Sequence, residues 1–129
     1  MQCPKCSGAL APQVYKDVIA IHRCTDCAGL FCKPEALAEM KREWMAEAVL
    51  DVGDPKVGKA LNQLEDVQCP ECGTRMLETA DERQTHIWFE ECPSCQGIWL
   101  DAGEFTDLKY DTLLDRVKSL LQAKRSDAR

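Results

Sequence analysis

Aromatic side chains are scarce: three Trp, two Tyr and three Phe make up 6% of the 129 residues. So small a stock argues against one large aromatic core. Long apolar runs are missing as well. The longest aliphatic run, Val18 to Ile21, falls far short of the ~20 residues a membrane helix needs. Positive charge is in deficit, with 16 Lys+Arg against 22 Asp+Glu and a formal charge of −6. The isoelectric point is near 4.9, whereas nucleic-acid-binding domains usually lie above ~9. No Ser-His-Asp set, phosphate-cradling glycine loop or His-Glu-x-x-His motif is apparent. The chain is too short for a barrel enzyme of ~250 residues and fits one domain or two small ones. Its 45% apolar content argues against disorder throughout.

What the chain has in excess is cysteine: nine of 129 residues, close to the level that marks a cysteine framework. Eight of them form four Cys-x-x-Cys pairs, Cys3/Cys6, Cys24/Cys27, Cys69/Cys72 and Cys92/Cys95. The first two pairs are 17 residues apart and the second two 19. A Cys-x-x-Cys turn, 15–20 residues and a second such turn is the spacing of a tetrahedral zinc site. Each turn offers two sulfurs to one ion, and a folded segment brings the two turns together. Zn²⁺ suits four thiolates and has no redox chemistry of its own. The expectation is therefore two ions per chain. Cys3, Cys6, Cys24 and Cys27 hold one, and Cys69, Cys72, Cys92 and Cys95 hold the other. Ligation interleaved across the repeats is a minor alternative. Disulfides would suit a secreted chain, but the start, Met1-Gln2-Cys3-Pro4-Lys5, shows no apolar leader segment. An iron–sulfur cluster is the other four-thiolate alternative.

The flanking residues favour turns that hold metal. Pro4, Pro70 and Pro93 follow the leading Cys in three pairs, pre-setting φ for the first turn residue. Gly8, Gly29, Gly73 and Gly97 follow the closing Cys and are expected to adopt φ > 0, turning backbone N–H groups toward the sulfurs.

The pattern occurs twice. Overlaying Cys27 on Cys95 aligns residues 27–37, CAGLFCKPEAL, with residues 95–105, CQGIWLDAGEF. Each repeat reads as knuckle, β-hairpin, knuckle, then helix. Residues 14–21 (VYKDVIAI) supply hairpin strands in the first. Residues 85–91 (THIWFEE) have the β-branched and aromatic character of strands in the second. Residues 29–31 and 97–100 add a short third strand to each. A first helix is expected over 34–50, with Pro34 at its first position and Leu37, Met40, Trp44 and Ala48 at helical spacing. A second is expected over 102–124, its stripe running through Phe105, Leu108, Leu113/Leu114, Val117 and Leu120/Leu121, with residues 126–129 frayed. Asp101 followed by Glu104 reads as a capping box. Gly53-Asp54-Pro55 interrupts the segment between the repeats, and 56–65 reads as a short helix. The fold class is thus a small α+β metal-stabilised protein: tandem zinc ribbons, each followed by an amphipathic helix. The divisions are 1–50, a partly helical linker at 51–67, and 68–129.

Residues 92–104, CPSCQGIWLDAGE, match C-P-x-C-x-G-x-W-L-D-x-G-E at every position. On this motif the chain resembles the bacterial transcription factor IIB-type zinc-ribbon family. The first repeat is a degenerate copy, with Thr25, Phe31, Cys32 and Lys33 replacing Pro, Trp, Leu and Asp. The resemblance spans roughly 2–41 and 68–109. It implies zinc-ribbon folds and zinc binding, and fold alone does not give function.

The remaining chemistry-bearing residues have plain roles available. Cys32 occupies the position of Leu100 and reads as a small buried hydrophobe, with a reactive thiol as the alternative. His22 and His86 read as strand or surface residues, since each site already has four thiolates. Trp99, Asp101 and Glu104 form a candidate recognition surface, beside the capping role of the two acids. A four-thiolate site is closed, leaving no open position for metal catalysis, so a non-enzymatic protein is expected. Each loaded site carries −2, taking the total charge from −6 to about −10. That disfavours long-range attraction to phosphates. The functional expectation is a cytoplasmic protein-interaction adaptor, with homodimerisation through the helices as one form of contact. A nucleic-acid-binding accessory factor and a zinc-thiolate redox sensor or holdase are the alternatives.

Overall fold

A computed structural model describes residues 1–110 and 114. Strands β1 (Leu10–Tyr15), β2 (Ile19–Cys24) and β3 (Leu30–Cys32) form the first ribbon. Helices α1 (Pro34–Arg42), α2 (Ala46–Leu50) and α3 (Pro55–Leu61) follow, and β4 (Leu77–Ala80), β5 (Trp88–Glu91) and β6 (Ile98–Leu100) form the second ribbon. A further helix, α4, starts at 104 and is described to 110. No helix among the described residues is long and apolar enough to cross a membrane.

The two ribbons share one antiparallel sheet. Strand order is β1-β2-β3-β6-β5-β4, so the third strand of each repeat pairs with that of the other. Phe31 lies opposite Trp99, Leu30 opposite Leu100 and Cys32 opposite Ile98. Leu30 and Ile98 are equivalent positions in the repeats, as are Cys32 and Leu100. The pairing is therefore a pseudo-two-fold centred on Phe31 and Trp99, the relation of a self-complementary dimer interface built within one chain.

Each short central strand is buried on both faces, because side chains alternate across the sheet. Leu30, Cys32, Ile98 and Leu100 join Ile19, Met40, Phe105 and Leu108 in a core under the helices. Phe31 and Trp99 point the other way, into a core shared with the metal-binding cysteines. At the β1–β2 turn, Lys16 and Asp17 both have φ > 0, the backbone twist that matches flanking antiparallel strands. The sequence did not suggest β4; its residues LETA are half or fully exposed and lack an alternating apolar signal.

The first helix is broken rather than continuous over 34–50. Glu43 is extended, and Met45 takes a left-handed φ of 66°. The break lets Ala46 and Leu50 enter the core, while Trp44 is left 76% exposed and Ala48 also lies outside. The Tyr15 hydroxyl donates to Trp44 O at 2.8 Å. Arg23 donates to the carbonyls of Val49 and Leu50 at 3.3 and 3.2 Å, satisfying acceptors at the end of α2. Residues 51–67 contribute packing of their own. α3 is capped by Asp54, whose side chain accepts from Lys56 N at 2.9 Å. Its Gly58 lies so close to Ala102 that an added Cβ would stand 2.0 Å from Ala102 O.

The cap of α4 also differs from the sequence expectation. Asp101 does not cap it with its side chain, and the Glu104 carboxyl has no hydrogen-bond partner for either oxygen. Asp51, the residue just past the end of α2, caps the helix instead. Its Oδ1 accepts from Gly103 N at 3.0 Å, and its Oδ2 accepts from Thr106 N at 2.9 Å and from Thr106 Oγ1 at 2.8 Å. An N-terminal capping carboxylate satisfies orphan amides and meets the positive end of the helix. The expected continuation to 124, through Leu113, Val117, Leu120 and Leu121, lies outside the described residues, as does the expected frayed end at 126–129.

Two candidate metal centres

The four Cys-x-x-Cys turns converge in pairs, and the pairs are those within each repeat. The sulfurs of Cys3, Cys6, Cys24 and Cys27 lie within 4.8 Å of one another, as do those of Cys69, Cys72, Cys92 and Cys95. Sulfur separations are 3.8 Å for Cys3–Cys27 and 3.3 Å for Cys6–Cys24. They are 3.5 Å for Cys69–Cys95 and 3.3 Å for Cys72–Cys92. A zinc tetrahedron with ~2.3 Å bonds has edges of about 3.8 Å, so both sets fit the ion. No disulfide joins the cysteines. Neither His22 nor His86 belongs to either set.

Backbone geometry prepares the sulfurs for negative charge. Lys5 N and Cys6 N donate to Cys3 Sγ, each at 3.4 Å. Asp26 N and Cys27 N donate to Cys24 Sγ at 3.4 and 3.5 Å, and Cys95 N donates to Cys92 Sγ at 3.5 Å. The Cys3 thiol is held down to about 5, chiefly by the hydrogen bond from Cys27, and the same bond pushes Cys27 up. Cys72 is held down to about 6, first by the Thr74 hydroxyl 3.3 Å from its sulfur, while burial pushes Cys69 up to about 12. Each set thus stabilises part of the thiolate charge that a cation completes.

The glycines serve differently from the sequence expectation. Of the four, only Gly73 has φ > 0; in the other turns that conformation falls one residue earlier, on Ser7, Ala28 and Gln96. Gly29 and Gly97 are required for close approach instead. A Cβ on Gly29 would stand 2.2 Å from Trp99 Cζ2, and one on Gly97 would stand 2.5 Å from Phe31 Cζ. Each aromatic ring therefore lies over the glycine of the opposite repeat.

Trp99, Asp101 and Glu104 do not make an exposed recognition surface. Trp99 is wholly buried and Asp101 nearly so. Trp99 Nε1 donates to Asp101 Oδ1 at 2.9 Å. Asp101 Oδ2 and Glu90 Oε1 each take a 2.7 Å bond from Lys5 Nζ, whose side chain is completely buried. Burial opposes charge on this lysine, but the two carboxyl groups outweigh it and raise its affinity for a proton. Glu104 stands beside them, pushed up to about 10 by burial and by Asp101. Glu90, Asp101 and Glu104 are close enough to bind a cation, and the Lys5 ammonium supplies the positive charge there. Nothing in the sequence joins Lys5 to Glu90 and Asp101, which lie 85 and 96 residues away along the chain.

Cys32 is 2% exposed within the helix-side core, and burial pushes its thiol up to about 12. It packs as a small apolar residue, not a reactive thiol.

Two closed four-thiolate centres on a shared ribbon sheet define a tandem zinc-ribbon protein that binds two zinc ions. Zinc here is structural, since all four positions of each tetrahedron are taken by protein sulfurs. The chain belongs to the transcription factor zinc-finger family, whose model matches residues 2–43 and 68–111. No curated protein and no solved structure matches the chain.

Proposed function

We propose that this chain is a non-enzymatic adaptor that binds another protein through the apolar surface around α2. The observation that carries this reading is Trp44, which stands 76% exposed, with Met45, Val49 and Val52 also exposed along the same segment. A tryptophan held in solvent gains from burial against a partner, and tryptophan is among the residues that most often dominate interface energies. The left-handed Met45 adds support, because strained backbone at a bulky residue concentrates at functional positions. The closed metal sites support a structural role for zinc. The formal charge of −6 becomes about −10 with two loaded sites and favours a protein over a nucleic acid.

The test is purification of the tagged, zinc-loaded protein from its own cell, beside a Trp44→Ala variant of unchanged stability. The expected result is a defined protein retained by the parent chain and lost from the variant. Retention by both would overturn the α2 surface as the contact. Nucleic acid as the sole bound species, released by salt, would replace the adaptor reading with an accessory factor for transcription.

A further inference from the structure

Each metal centre is fastened by side chains from the other repeat. Lys5 lies inside the turn that carries Cys3 and Cys6, and its buried Nζ reaches Glu90 and Asp101 of the second ribbon at 2.7 Å each. Glu90 is two residues before Cys92, and Asp101 follows β6. Trp99 covers Gly29, two residues past Cys27, and Phe31 covers Gly97, two residues past Cys95. Lys33 Nζ donates to Cys95 O at 3.2 Å. β3 and β6 then join the ribbons through three consecutive residue pairs.

We propose that the two zinc sites form one cooperative unit, so that filling either site raises the affinity of the other. An unfilled first site leaves four thiol groups with nothing to hold them together, and the turn bearing Lys5 opens. Glu90 and Asp101 then lose their ammonium partner inside a buried environment, which is strongly unfavourable. That penalty falls on the segments flanking Cys92 and Cys95. Opening the second site displaces Trp99 and Glu90 and exposes the first turn in the same way. Linkage makes the effect reciprocal. The chain consequently takes up and releases its two ions together, as a single zinc-dependent fold and not as two independent ribbons.

Stepwise addition of zinc to the reduced, metal-free chain, followed by native mass spectrometry, tests this. At half filling, identical independent sites give about half of the chains with one ion, and tenfold coupling gives about a quarter. The expected one-ion share is a quarter or less, rising toward half in Lys5→Met and unchanged in the surface variant Lys16→Met. A one-ion share of half or more in the parent chain that Lys5→Met leaves unchanged would overturn the proposal. A second measurement is independent of how Lys5→Met folds. In Cys6→Ala/Cys24→Ala, zinc affinity at the second site is expected to fall at least about tenfold. An unchanged affinity there would overturn it equally.

Discussion

Replacing Gly29 by Ala puts the ribbon-to-ribbon contact under the most direct stress. The added methyl would lie 2.2 Å from Trp99 Cζ2 and 2.8 Å from Cη2, where carbon atoms prefer about 3.5–4.0 Å. Trp99 has no room to retreat. It is fully buried, and its Nε1 is bonded to Asp101 Oδ1, which itself faces Lys5. Overpacking a core costs about 1–3 kcal/mol. Displacing the indole leaves a buried carboxylate oxygen without its donor, for about 1–3 kcal/mol more. The expected loss is about 2–6 kcal/mol, a large part of the roughly 5–15 kcal/mol typical of a folded domain. The mirror change, Gly97→Ala, meets Phe31 Cζ at 2.5 Å. Phe31 has no polar bond to lose, so about 1–3 kcal/mol is expected. Urea denaturation at saturating zinc measures both. A Gly29→Ala chain within about 1 kcal/mol of the parent would show that Trp99 is not held in place over Gly29. So would strict additivity of Gly29→Ala with Trp99→Leu, since relief of the clash should make the double variant better than the sum by at least about 1 kcal/mol.

Three further outcomes follow. Asp51→Ala removes the three bonds from its carboxylate to Gly103 and Thr106 at the start of α4 and should cost about 1–2 kcal/mol in the same denaturation assay; an unchanged midpoint would mean the cap is not used. Glu104 keeps its proton up to about pH 10 when folded, whereas the unfolded group releases it near 4.3. The unfolded state therefore binds fewer protons between these values, and stability from this group is lost as pH rises, by up to about 1.4 kcal/mol per unit. Glu104→Gln should flatten stability against pH from 6.5 to 9.5 at saturating zinc, and identical slopes would contradict the assignment. Cys32 should resist iodoacetamide in the folded, zinc-loaded chain and react only on unfolding; rapid stoichiometric labelling of it would show that the thiol is accessible.

The metal sites were legible in the sequence because ligation is local. Two cysteines three residues apart define half a site, and the 17- and 19-residue gaps brought the halves together within each repeat. The joining of the ribbons was hidden for a physical reason. β3 and β6 are three residues long and buried on both faces, so neither shows the alternation that marks a partnered face. A signal was nevertheless present in Gly29-x-Phe31 and Gly97-x-Trp99, where a glycine two positions from an aromatic recurs in both repeats. Asp51 was missed because it is 52 residues from Gly103, while capping motifs are read from neighbours. Asp101 and Glu104 matched such a motif but are committed to the Lys5 cluster. Trp44 fitted the apolar spacing of one long helix, and only the break at Met45 turned it outward.

Eight cysteines hold two zinc ions in closed sites. Native mass spectrometry of the purified chain, with elemental analysis of the same sample, is the decisive measurement. Two zinc ions per chain and eight protected thiols are expected, with Cys32 a ninth held by burial. One ion, iron in place of zinc, or a metal-free chain with its cysteines joined as disulfides would contradict that expectation.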